Sequence, residues 1–148
     1  MTARQRLEKD FADLLRSEKK EGWWWYKFQT NALSHLAGPA DFLVLTPDKN
    51  VLVECKECRQ KVFKLDRLTQ MESLLSFEKT LPSRNKSFVV FVFWGGSKKN
   101  SDYFVVGIQT FINKILATKW KKRSINQNEF NSLFCLEKCL YEDITKNF

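Results

Sequence analysis

From Ser87 to Trp94 the chain reads Ser-Phe-Val-Val-Phe-Val-Phe-Trp, with every residue after the serine apolar. A strand wetted on one side alternates apolar and polar residues, so an unbroken run of this length is the signature of a central strand covered on both faces. Cover on both faces demands helices with apolar stripes, and the rest of the chain supplies them. Leu7, Phe11, Leu14 and Leu15 recur at helical spacing and predict a helix over 3–19, ended by Lys19-Lys20-Glu21-Gly22. Trp23 to Phe28 is β-prone and is expected to bury its rings against that helix. Residues 41–45 and 51–55 are two further strands around a turn carrying Pro47, Asp48 and Asn50. Leu68, Met71, Leu74 and Leu75 give a helix within 66–79, and Tyr103–Val106 gives a strand. Ile108, Phe111, Ile112, Ile115 and Leu116 give another helix, and 126–145 is expected to be helical with Phe130, Leu133, Phe134 and Leu140 inward. Helix, three strands, helix, two strands, helix describes one mixed sheet flanked by helices, an α/β fold, and 148 residues suit a single domain over 1–148.

The chemistry concentrates on the hairpin. Asp41 opens its first strand, and Glu54-Cys55-Lys56 closes its second. Glu54 and Lys56, two apart on a strand, project to one side while Cys55 points to the other. Antiparallel pairing around a five-residue loop, 46–50, matches Leu45 to Val51 and Asp41 to Cys55, so a bulge or a one-residue shift is needed to bring Asp41 to the side of Glu54. Two carboxylates sharing one pocket suit Mg²⁺ or Mn²⁺, hard cations that leave sites open for a substrate phosphate. Lys56 adds a fixed positive charge that can orient an attacking water. An ordinary hairpin with a surface ion pair has the same spacing. Glu8 follows Leu7 on the border of the first helix, where it either leans toward this point or is solvated.

Charge balance favours a polyanionic partner. Lys and Arg total 25 against 17 Asp and Glu, a net charge of +8 with a pI near 9.4. Ser34 and His35, with Thr30 and Asn31, sit in a polar loop suited to phosphate contact, and Lys98-Lys99 and Lys121-Lys122 are further candidates for nucleic-acid contact. A surface loop histidine and a solvated basic helix end fit the same residues. No apolar run reaches the roughly eighteen residues of a membrane span, so the expectation is an intracellular, cytoplasmic protein without membrane contact, in the host cytoplasm if phage-encoded. The cysteines at 55, 58, 135 and 139 form a C-x2-C and a C-x3-C, spacings compatible with zinc. Cys55 lies within an apolar strand and the second pair has helical spacing, which favours reduced thiols packed as small hydrophobes.

The sequence of a helix bearing Glu8, Asp41 entering a hairpin, Glu54-x-Lys56, the segment Phe63-x-Leu65-x-Arg67-Leu68 and then Gln70 resembles the PD-(D/E)XK nuclease superfamily. More narrowly, it is similar to Holliday-junction resolvases of the RecU and archaeal Hjc kind. That resemblance implies a restriction-endonuclease-like mixed β-sheet flanked by α-helices, and a Mg²⁺-dependent endonuclease acting on branched DNA. It implies Asp41 and Glu54 as metal ligands with the main-chain carbonyl of Cys55, Lys56 as the residue positioning the attacking water, Glu8 as a helix-borne acid and Gln70 as a site-shaping residue. It also implies a homodimer, since a four-way junction has two strands to cut symmetrically. Flaps, forks or plain duplex are alternative substrates, and a non-catalytic nucleic-acid-binding module is the reading from another class.

Overall fold

A computed structural model describes residues 3–29 and 38–148. Ser34 and His35 therefore lie outside the described residues. Six strands build the main sheet: β1 (Trp24–Lys27), β2 (Phe42–Leu45), β3 (Asn50–Cys58), β5 (Asn85–Phe93), β6 (Asp102–Gly107) and β8 (Lys138–Cys139), in the spatial order β1-β2-β3-β5-β6-β8. Only β3 and β5 run parallel; the other neighbours in this sheet are antiparallel. A second, two-stranded sheet pairs β4 (Val62–Lys64) with β7 (Ser124–Asn126).

The unbroken apolar run becomes β5, between β3 and β6, and its alternate residues enter two different cores. Val90 and Val92 join Phe42, Val44, Val51 and Val53 under α1 (Ala3–Glu18), which contributes Leu7, Phe11, Leu14 and Leu15. Val89, Phe91 and Phe93 face the opposite side, where α2 (Met71–Thr80), α3 (Ile108–Ala117) and α4 (Gln127–Leu133) bury Leu74, Phe111 and Phe130. Aromatic rings dominate this second core: Phe91 meets Phe63 edge-on at 4.9 Å and Phe130 at 4.8 Å between ring centres.

Two expectations need correction. The segment 126–145 is not one helix. The Asn126–Glu129 capping box starts α4, but the chain leaves helical geometry at Phe134 and adds β8 to the free edge of β6 between two 3₁₀ turns. Leu140, expected inward, is exposed as a result. The aromatic strand is also only partly core. Trp23 and Trp25 pack toward α1, whereas Trp24 and Tyr26 are 54% and 46% exposed and stack on each other with ring centres 6.3 Å apart. The reason is topological: β1 is the sheet edge, and the helix on that face, α2, makes its main contacts with β5 and α3.

The cysteine spacing does not survive folding as a cluster. Cys55 enters the core under α1 and Cys58 the opposite core, so their side chains cannot share one zinc ion. Cys135 sits in a 3₁₀ turn and Cys139 on β8, so the pair is not on a helix. Burial pushes the Cys58 thiol up to about 12 and the Cys139 thiol to about 11.

Candidate active site

The β2–β3 turn decides where Asp41 goes. Thr46 closes it in four residues: its N–H donates to the Lys49 carbonyl at 2.8 Å, and its hydroxyl oxygen accepts the amides of Asp48 and Lys49 at 3.3 and 2.9 Å. Asn50 is thereby released into the strand, where its amide donates to the Arg84 carbonyl and its side chain to Asn85 Oδ1, both at 2.9 Å. Leu45 pairs with Asn50 and Phe42 with Val53. One step further, Asp41 stands across from Glu54, the shifted register that puts both on one side of the sheet.

Beyond Phe42 the ladder ends and the Asp41 side chain takes over from the backbone. Its amide still donates to the Val53 carbonyl at 3.0 Å, while its Oδ2 accepts the Cys55 N–H at 2.8 Å. On a strand the N–H and C=O of one residue point to the same edge, so the Cys55 carbonyl also points toward Asp41 and away from β5. Asp41 is held from three further directions. Its carbonyl accepts the Phe28 amide at 2.9 Å, Ala40 before it is buried, and Ser73 at the start of α2 donates to the Pro39 carbonyl at 2.7 Å.

Glu54 is fully buried and Lys56 is 7% exposed; their Oε1 and Nζ atoms lie 2.9 Å apart. Lys56 Nζ also donates to Gln70 Oε1 at 3.4 Å, and Thr69 donates to the same oxygen at 3.1 Å. Gln70 is the residue before α2, so the E-x-K strand and this helix are joined through one ammonium group. The fold thus brings Asp41, Glu54, Lys56 and Gln70 together. Glu8 lies on the α1 side, where its Oε2 pairs with Lys27 Nζ at 3.3 Å. It remains near enough to act on the same stretch of β3: burial first, then the fields of Asp41, Glu54 and Glu8, hold the Cys55 thiol well above its ordinary range.

The donor set fits a hard divalent cation. Among the described residues no three His, Cys, Asp or Glu side chains are grouped to hold a metal, so the donors available here are the two carboxylates and the main-chain carbonyl of Cys55. Few protein ligands, all oxygen, with the remaining positions left to water and phosphate, is the pattern of Mg²⁺ sites.

The other expected contacts are dispersed. Lys98 pairs with Asp10 at 3.6 Å and lies over the Tyr141 ring, Lys99 is exposed on the same loop, and Lys121 and Lys122 are exposed before β7, Lys122 with Glu129 at 3.1 Å. Arg59, Lys61 and Lys64 carry no assignment from the sequence. Those cations directly follow the E-x-K strand, and that adjacency was the available signal.

No protein family model matches the chain, and none of the curated proteins matches it in sequence. Among solved structures it is similar to Hjc of Archaeoglobus fulgidus, a Holliday junction resolvase from an archaeal hyperthermophile, over 95% of this chain and 98% of that one, with a TM-score of 0.59 at 15% identity. The two chains share a fold. It is the mixed-sheet, restriction-endonuclease-like α/β architecture expected from the sequence. No described helix is long and apolar enough to cross a membrane.

Proposed function

We propose that the protein is a Mg²⁺-dependent DNA endonuclease that cuts branched DNA, with the four-way junction as its substrate. The observation that carries this reading is the buried Glu54–Lys56 pair at 2.9 Å, set beside an Asp41 carboxylate tied to the intervening Cys55 amide. Burying two opposite charges is costly and contributes little net stability, so a fold that keeps such a pair within β3, just past the end of its pairing with β2 and beside another carboxylate, is better explained by chemistry than by stability.

Asp41, Glu54 and the Cys55 carbonyl would hold the ion, with Mn²⁺ able to replace Mg²⁺. When bound, it supplies Lewis-acid stabilisation of phosphoryl charge and a more acidic water. The chain's own groups do the rest. Lys56 orients the nucleophilic water and offsets charge developing on the phosphate, Gln70 fixes the Lys56 ammonium, and the Asp41–Cys55 hydrogen bond keeps the carbonyl aimed at the site. Glu8, steered by Lys27, adds negative potential from the opposite layer.

The likeness to a resolvase supports the junction over plain duplex, and the net charge of +8 supports a polyanionic substrate. Symmetric cutting requires two such sites, hence a two-fold homodimer. The test compares purified protein, Glu54→Gln and Lys56→Ala on a four-way junction and on linear duplex, each with Mg²⁺ or EDTA. Expected is Mg²⁺-dependent cleavage of the junction, falling at least about a hundredfold in either variant. Cleavage that persists in both variants would remove this site, and preference for linear duplex would remove the junction assignment.

A further inference from the structure

Past Lys56 the strand β3 runs on to Cys58 and the chain then reverses at residues 59–61, where Gln60 and Lys61 both adopt left-handed backbone conformations, φ 53° and 57°. Two consecutive non-glycine residues in that region bear a conformational cost, which the turn accepts in order to fold β4 back sharply. Phe63 pins the returning strand into the aromatic core, which leaves Val62 and Lys64 on its outer face. The turn, β4 and the 3₁₀ turn at Leu65–Arg67 enclose an open cleft of about 590 Å³ lined by Arg59, Gln60, Val62, Lys64 and Arg67. Every charged group in this lining is cationic.

Several cations elsewhere on the molecule are neutralised by a neighbouring carboxylate. Lys9, Arg16, Lys98, Lys122, Lys138 and Lys146 each have a carboxylate oxygen within 3.6 Å. Among the described residues Arg59, Lys64 and Arg67 form no such ion pair. Arg67 is oriented all the same, since its Nη1 donates to the Glu57 carbonyl at 2.8 Å and leaves the rest of its guanidinium for another acceptor. The small sheet adds to the field, because Leu65 N donates to the Arg123 carbonyl at 2.9 Å and draws the 121–123 basic run against β4.

Position gives the cleft its meaning. Arg59 lies three residues beyond Lys56, about 10 Å along the strand at ~3.3 Å per residue. Arg67 and Gln70 bracket the short link that leads from the cleft to the catalytic ammonium. No aromatic ring lines the cleft, so it offers no stacking surface for a base, only forked and point donors suited to phosphate oxygens.

We infer that this cleft binds the phosphodiester backbone of the DNA strand that reaches the Glu54–Lys56 pair, holding it on the side beyond the C-terminal end of β3 without reading sequence. This rests on the nuclease reading above and adds the track along which the strand lies.

Equilibrium binding of a labelled four-way junction and a labelled duplex, in EDTA so that neither is cut, tests it between about 0.05 and 0.2 M salt. The full-length chain is compared with Arg59→Gln/Lys64→Gln, with Lys64→Gln alone, and with Lys146→Gln, whose 3₁₀ segment packs through Ile144 on the α1 side. The slope of log K against log salt is expected to fall by about two for the double variant, about one for Lys64→Gln and not at all for Lys146→Gln. The corresponding affinity loss for the double variant is roughly 60-fold at 0.1 M salt. Arg59 and Lys64 are exposed, so the variants should fold, and unchanged circular dichroism melts would confirm it. Slopes for the double variant and Lys64→Gln equal to those of Lys146→Gln would overturn the inference. Cleavage by Glu54→Gln in Mg²⁺ separates the two readings: if that variant still cuts junctions the catalytic assignment fails, while the salt slopes measured in EDTA judge the cleft independently.

Discussion

At the scale of single residues, the protein places charge where water cannot screen it. Glu54 and Lys56 neutralise one another under almost complete burial, so deleting one strands the other. Lys56→Met should cost about 3–5 kcal/mol in a denaturant titration, mostly recovered by Glu54→Leu/Lys56→Met. The proposed metal site has a readout independent of the proposed cleavage. Millimolar Mg²⁺ should raise the melting temperature of the protein over its value in EDTA, since a ligand that binds only the folded state stabilises it, and Asp41→Asn should abolish most of that rise. Glu57, on the other face of β3, is a buried carboxyl at 4% exposure, and its burial holds its pKa above the ordinary 4.5 despite Arg6 at 3.7 Å. A raised folded-state value means the folded protein binds the proton more tightly. The favourable contribution is complete below pH 4.5 and is lost as pH rises through the raised value. Glu57→Gln should therefore melt higher than the parent at pH 7, with the gap closing at pH 4.

At the scale of elements, a four-residue turn does what a longer one would not. Thr46 holds two amides with its hydroxyl, Leu45 meets Asn50, and every side chain beyond follows that register to the right face. Thr46→Val removes both acceptor contacts and should cost about 1 kcal/mol of unfolding free energy, measured by urea titration. The β4–β7 pair is the second decisive element. It carries the cationic cleft, and it is held by Phe63 and Ile125, each fully buried.

At the scale of the whole molecule, α1 covers one face of the sheet and the three later helices the other, and the groups of the candidate site emerge at the point where β2 stops and β3 continues. The proposed symmetric cutting makes a prediction here. Light scattering at micromolar concentration should give twice the 17.5 kDa of one chain, and a monomer would remove paired cutting of a junction. Trp24 and Tyr26 leave an exposed aromatic pair on the edge strand, so protection of their face in hydrogen exchange would show whether the proposed dimer covers that edge.

Much of this was legible in the residues. The period of an apolar pattern reports which face of a helix or strand is dry, so α1, the hairpin, α2, β5, β6 and α3 could be read, although Leu116 in the α3 pattern is 69% exposed, and the pairing of Glu54 with Lys56 followed from the two-residue repeat of a strand. What the sequence left open was anything set by a partner distant along the chain. The choice between Cys55 and Glu54 as the neighbour of Asp41 depended on how Thr46 closed its turn and on Asn85 drawing Asn50 into the sheet. The breaking of the last predicted helix depended on an open edge at β6, and the exposure of Trp24 and Tyr26 on where α2 ends its cover. The separation of Cys55 from Cys58 needed only the strand's alternation, but the gathering of Arg59, Lys64 and Arg67 into one cleft needed β7, sixty residues away, to hold β4 in place. Local patterning decides which groups are dry; only tertiary contacts decide which of them meet.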